Sequence, residues 1–290
     1  NITVLGASLL TSADKPLNDW RDRAILGATQ YEIASLKVTN ENGGFELGKK
    51  DADWVITSPV SGAAEESEVN SLLTDITSAK ATEIVSETAD DLAKYGLDKP
   101  KITATAKLST GGEKGIQVGS KIEESYYAKT VADAGSAQIF KIDSALYDKL
   151  NVKLAALRSK QFVKLDRDGL TRFELKNSNG KLVAVKKDDK WIVVEPADKK
   201  DKEAQTFKLF TPFESKASEV IDKPTAAMTA KLAKSPIEVR LTDKNGKTTV
   251  VKFSEADGED IYIRVDGRPE LYKVGKMMLE GLNFKIEEAI

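Results

Sequence analysis

The chain of 290 residues holds 46 acidic and 44 basic side chains and neither histidine nor cysteine. Its chemistry-bearing groups are therefore carboxylates, lysines and hydroxyls. Ser-His-Asp and Cys-His nucleophile systems are excluded within the chain, because each needs an imidazole base or a thiolate. Zinc sites of the nitrogen–sulfur type are excluded with them, as is haem or iron–sulfur ligation through those residues. No side chain changes charge near neutral pH at its ordinary pKa. Carboxylate chemistry, a Ser-Lys pair, and calcium or magnesium held by oxygen ligands remain open.

Each motif that approaches such chemistry has a plainer reading. Glu255, Asp257, Glu259 and Asp260 surround Gly258 and offer oxygen ligands to calcium. The loop lacks the spacing and closing Glu of an EF-hand, and reads as a solvated turn between strands. Asn245-Gly246-Lys247-Thr248 has the end of a phosphate loop, but Leu241 stands where the first Gly is needed. It reads as a hairpin tip, as does Gly111-Gly112. Lys199-Lys200-Asp201-Lys202 reads as a solvated charge run. Trp54 and Trp191 offer stacking faces for a sugar ring, yet both sit beside β-branched residues and before a Pro, which favours a core role. Trp20 is unlike them, because Leu157 stands in its place in the second half; it faces a partner or the junction between the halves. No residue is singled out as catalytic, cofactor-binding or metal-ligating, and no cofactor is implied.

The elements that carry these residues come in two sets. Trp54 and Trp191 stand 137 residues apart, and at the same offset Asn42-Gly43 returns as Asn179-Gly180, Pro59 as Pro196, Leu72-Leu73 as Leu209-Phe210 and Arg21 as Arg158. Further on, Gly111 matches Gly246 and Tyr127 matches Tyr262, and Ile139-Phe140-Lys141-Ile142 matches Leu271-Tyr272-Lys273-Val274, with slips that loops can absorb. A period this long marks a duplicated domain. Ile2-Thr3-Val4-Leu5 lines up with Ile139 to Ile142 in turn, as the closing strand of an earlier copy. The expected organisation is residues 1–19 as that strand and its linker, 20–156 as a first module and 157–290 as a second.

Within one copy, alternation around Ile33 to Val38, Phe45 to Leu47 and Trp54 to Ile56 predicts three strands, with Asn42-Gly43 as a type I′ hairpin turn. Val69, Leu72, Leu73 and Ile76 fall on one face of a helix starting near Glu65. Strands follow, with one helical turn ended by Gly96. Ser144 is expected to cap a second helix carrying Leu146, Leu150 and Leu154. The predicted class is α+β: a mainly antiparallel sheet with two main helices per copy.

Composition limits the partners. No apolar run approaches the ~20 residues that cross a bilayer. A net charge of −2, from closely interspersed charges, gives no electrostatic footprint for nucleic acid. A protein partner is expected.

Each copy has an Arg-led entry, Trp20-Arg21-Asp22-Arg23 and Leu157-Arg158-Ser159-Lys160. Each also has a Trp, apolar residues and a Pro, as in Trp54-Val55-Ile56-Thr57-Ser58-Pro59 and Trp191-Ile192-Val193-Val194-Glu195-Pro196. The first copy adds Tyr95-Gly96-Leu97-Asp98-Lys99-Pro100 and Tyr126-Tyr127-Ala128-Lys129; the second keeps only Leu232 and Pro236 of the former. Over nearly its whole length the chain resembles domain-of-unknown-function family 4340, a bacterial family of repeated modules. The resemblance implies an extracytoplasmic position, a membrane anchor upstream of Asn1 and a setting near ABC transporters of the gliding-motility type. It implies no activity. Three functions are weighed: a non-enzymatic scaffold or accessory protein, possible service to a transporter included; a module binding a glycan or peptide in a cleft between the copies; and a carboxylate-dependent hydrolase, for which no facing pair of carboxylates stands out. The first is preferred, with the surface near Trp20 to Arg23 and Ala155 to Lys160 as the expected contact region.

Overall fold

The computed structural model describes Asp14 and residues 21–131 and 138–290. The strand expected at Ile2 to Leu5 and the position of Trp20 lie outside the described residues. The chain divides into two units, Asn1–Arg158 and Ser159–Ile290.

The first unit is built on one antiparallel sheet. Its strands are β1 (Ile33–Thr39), β2 (Phe45–Lys50), β3 (Asp53–Ser58), β4 (Gly62–Ala63), β5 (Glu83–Ser86), β6 (Ile102–Leu108), β7 (Glu113–Ile122), β8 (Ser125–Val131) and β9 (Ile139–Asp143). They lie in the order β4-β3-β2-β1-β6-β7-β8-β9-β5. Alternation sends Leu36, Val38, Phe45, Leu47, Trp54, Ile56, Ala104 and Ala106 to one face, where they form the core with Val69, Leu72, Leu73 and Ile76 of α1 (Glu66–Ser78). Two shorter helices, α2 (Ser144–Leu150) and α3 (Leu154–Leu157), pack against α1.

The second unit has β10 (Leu170–Asn177), β11 (Gly180–Lys187), β12 (Lys190–Glu195), β13 (Glu219–Ile221), β14 (Ile237–Asp243), β15 (Thr248–Phe253), β16 (Asp260–Val265) and β17 (Leu271–Gly275). Their order is β12-β11-β10-β14-β15-β16-β17-β13, which repeats that of the first sheet from β3 onward. The register agrees as well: Ser35 faces Gly48 as Arg172 faces Val185, 137 positions on. A bulge falls between Ile33 and Ser35 and another between Leu170 and Arg172. Both Ser58-Pro59 and Glu195-Pro196 are cis. The helices of this unit are α4 (Thr206–Phe210), α5 (Ala226–Ala233) and α6 (Met277–Leu282).

The expected α+β class with two main helices per copy is overturned: the molecule is largely β, with two large antiparallel sheets and short helices. Among the described residues only α1 reaches 13 residues. Its counterpart α4 stops after 5 because Pro212 enters the next turn, where it removes a backbone donor, and the chain tightens into a 3-10 turn over Thr211–Glu214. The stripe Leu146, Leu150 and Leu154 does not form one helix. It breaks at Asn151, since the carbonyls of Leu150 and Val152 accept the Asn40 side-chain amide, each at 3.0 Å. Asp143 caps α2, not Ser144; its Oδ1 accepts from the Leu146 amide at 2.9 Å.

The hairpin tips also differ from a type I′ turn. Gly43 (φ 103°) and Gly44 (φ 97°) carry the left-handed backbone in the first tip and Gly180 (φ 131°) in the second, while Asn42 and Asn179 keep negative φ. The asparagines serve through their side chains. Asn40 accepts from the Asn42 amide at 2.9 Å, and Asn42 Nδ2 donates to the Asn151 carbonyl at 2.7 Å. Asn177 accepts from the Asn179 amide at 2.8 Å, and Asn179 Nδ2 donates to the Asn283 carbonyl at 2.7 Å. Asn177 Nδ2 also donates to the carbonyls of Leu282 and Phe284, each at 3.0 Å. Each tip is thereby clasped to the C-terminal end of a short helix, α2 in the first unit and α6 in the second.

Candidate functional site

Of the four carboxylates around Gly258, three, those of Asp257, Glu259 and Asp260, pair with separate lysines. Asp257 pairs with Lys231 at 2.5 Å, Glu259 with Lys276 at 2.7 Å and Asp260 with Lys273 at 2.9 Å. The hydrogen bond from Lys231, joined by one from Tyr262, holds the Asp257 carboxyl below the usual range. Nothing there converges on a common point. In the Asn245-Gly246 hairpin, the Asp243 Oδ1 accepts from the amides of Asn245 (2.8 Å) and Lys247 (3.0 Å), the donors a phosphate would need. Lys199 closes a 3-10 turn beside Asp198. Trp54 and Trp191 are 7% and 3% exposed and face their cores. Trp191 meets Phe210 edge-on at 5.0 Å.

The arginines at the expected contact region are used inside the first unit. Arg21 pairs with Glu87, and Arg23 Nη1 donates to the Thr82 carbonyl at 3.2 Å. Arg158 is buried over β4, where a Cβ on Gly62 would come within 1.7 Å of its Nη1.

A site not foreseen from the sequence lies on the open face of the first sheet. Because the apolar residues of β1, β2 and β6 turn inward, Ser35, Lys37, Glu46, Gly48, Thr105 and Lys107 turn outward. The registers gather them: Ser35 lies between Gly48 and Lys107, and Lys37 between Glu46 and Thr105. With Thr57 on β3 they line a groove of about 490 Å³. Two ion pairs flank it, Lys37–Glu46 at 2.7 Å and Lys107–Glu113 at 3.7 Å. The hydrogen bond with Glu46 raises the Lys37 pKa, so that ammonium stays charged. Small and hydroxyl side chains leave room and hydrogen-bonding groups over a broad surface. At the positions matching Ser35, Gly48 and Thr105 the second sheet has the larger Arg172, Val185 and Arg240, and Val194 replaces the Thr57 hydroxyl with a methyl. There Arg172 binds Glu174 at 2.8 Å and Arg240 binds Glu238 at 2.7 Å. The sequence signal is the loss of bulk at three matched positions, Ser35, Gly48 and Thr105.

A second feature present in one unit only is the stack of Tyr126 on Tyr147, with ring centroids 3.8 Å apart and planes within 2°. Tyr147 donates to Glu41, and Lys101 lies 3.9 Å from the same carboxylate. Burial, then the bond to Glu41, pushes the Tyr147 hydroxyl well above its ordinary pKa. Both rings are buried, so the group pins the β1–β2 tip to α2 and opens no cavity.

A family model described as Domain of unknown function (DUF4340) matches residues 54–233. The chain belongs to this family. The DUF4340 match is shorter than the nearly complete length of the resemblance: it starts at Trp54 on β3, ends in α5 and spans the division between the two units. No curated protein and no solved structure matches the chain. Among the described residues, no helix is long and apolar enough to cross a membrane.

Proposed function

We propose that this chain is a non-enzymatic binding module, made of two copies of one β-sheet unit, that serves an extracytoplasmic protein assembly as scaffold or accessory subunit. The first sheet's open face presents the contact surface, and an ABC transporter component is the expected partner. The carrying observation is the groove over Ser35, Gly48, Thr57 and Thr105 in the first unit, where the positions matching Ser35, Gly48 and Thr105 hold the larger Arg172, Val185 and Arg240 in the other. A difference between otherwise matched scaffolds is where a specific function belongs. The family resemblance supports the envelope setting.

The reading is tested by placing a photoreactive residue at Thr105, or at Arg240 as control, in cells that make the full-length protein. Crosslinking to a transporter or envelope protein from Thr105 and not from Arg240 is the expected result. Equal or absent crosslinking removes the first sheet as the contact face. Turnover of a glycan or peptide by the purified chain, abolished by changing one carboxylate, overturns the non-enzymatic reading.

A further inference from the structure

The second unit contains a buried polar chain that the first lacks. Glu270 is 3% exposed and Tyr272 1% exposed. Tyr272 donates its hydroxyl to Glu270 Oε1 at 3.0 Å, and Arg268 Nη1 donates to that hydroxyl and to the Phe162 carbonyl, each at 3.1 Å. Gln138 and Phe140 occupy the places of Glu270 and Tyr272 in the first unit. A carboxylate taken out of water needs a compensating charge, and Arg268 supplies it through the tyrosine hydroxyl. Burial raises the Tyr272 pKa, which keeps the hydroxyl a donor.

The chain ends in a groove. Both Arg268 bonds use Nη1, so Nε and Nη2, the fork that grips a carboxylate side-on, keep no partner among the described residues. Arg268 lines a cavity of about 280 Å³ together with Lys247, Asp166, Asp243, Leu165 and Leu241. Asp166 accepts from the Gly169 amide at 3.1 Å through Oδ1, and Asp243 likewise engages Oδ1, which leaves Oδ2 of each available. Gly169 is required for this placement, since a Cβ there would lie 2.3 Å from Asp166 Oδ2. A braced guanidinium, half-used carboxylates and leucine walls thus share one small cavity.

We propose that this groove binds a small zwitterion with an apolar side chain, either a free amino acid or a short peptide. Arg268 takes the carboxylate, Asp166 and Asp243 take the ammonium, and Leu165 and Leu241 take the side chain. The cavity falls just below the ~300–1,000 Å³ of pockets that hold drug-sized ligands, which matches a ligand of this size. Lys164 and Lys247 also line the cavity, so inorganic phosphate is the competing occupant, and the two carboxylates are what favour a ligand that brings its own ammonium. This site is separate from the open face of the first sheet, so either can fail without the other.

The test is calorimetric titration of the whole chain with leucine, Leu-Leu, N-acetylleucine, leucinamide and inorganic phosphate. Leucine or Leu-Leu should saturate the site, and the order of the two tells a free amino acid from a peptide. Blocking either charge, as in N-acetylleucine or leucinamide, should weaken binding at least tenfold. Arg268→Lys and Asp243→Asn should each weaken it as much, with the melting temperature unchanged. If Arg268→Lys lowers the melt, Asp243→Asn alone decides. No saturable binding of leucine or Leu-Leu, phosphate or N-acetylleucine binding as tightly, or full binding by Asp243→Asn each overturns the proposal.

Discussion

Asn40 and Asn177 each give one side-chain amide to two main-chain carbonyls that the ends of α2 and α6 leave open. Truncating Asn177 to Ala should cost about 1–3 kcal/mol for each stranded carbonyl, read as a lower urea midpoint at unchanged slope. Asn177→Asp should do no better, because a carboxylate faces the same two acceptors with no donor. Glu174 permits a pH test. The hydrogen bond from Arg172, with Lys181 nearby, holds its carboxyl below the ordinary 4.5 and outweighs partial burial. A depressed folded pKa means stability that is present above about pH 4.5 and lost as pH falls through the folded value. Glu174→Gln should therefore be less stable at pH 7 by about 0.5–1 kcal/mol, and the gap should close in acid. A gap that persists at pH 2 would remove the ionic explanation. At the tips, Gly44→Ala should cost more than Gly111→Ala. Both have positive φ, but a Cβ on Gly44 would lie 2.3 Å from the Val38 carbonyl, whereas Gly111 faces open space.

Among the elements, α1 was legible because four apolar residues recur on one helical face, and all four are buried. Leu73→Ala should destabilise the first unit by about 2–5 kcal/mol in denaturant unfolding, and a loss under 1 kcal/mol would deny α1 its part in the core. The central strands were legible from alternation and from the turn residues between them. The helices are shorter than the apolar stripes predict. A stripe of apolar positions says which face is buried, not how far the helix runs, and Pro212 and the clasp on Leu150 cut two helices short. The clasp itself was hidden, since an Asn before a Gly-rich tip reads as a turn former and its partner carbonyls lie far along the chain. The open groove was hidden for a related reason. Ser35, Gly48, Thr57 and Thr105 stand on four strands, and only the register makes them neighbours.

In the whole molecule, each unit closes its own core: the residues clustered around Phe173 all belong to 162–289, and those around Leu36 to 25–157. Residues 159–290 made alone should therefore unfold cooperatively, with near-ultraviolet dichroism from Trp191; a fragment without a thermal transition would show that its core depends on the rest. The clasp at Asn40 has a consequence for synthesis. Its carbonyl partners emerge 110 residues later, which at ~5–20 residues per second is a wait of roughly 5–20 s on the ribosome. During that interval the β1–β2 hairpin and α1, which covers its apolar face, have left the exit tunnel while the tip still lacks its closing contact. A chain stalled just before Leu150 would therefore present the β1–β2 tip unclasped, with the Asn40 amide open to holding chaperones or export factors.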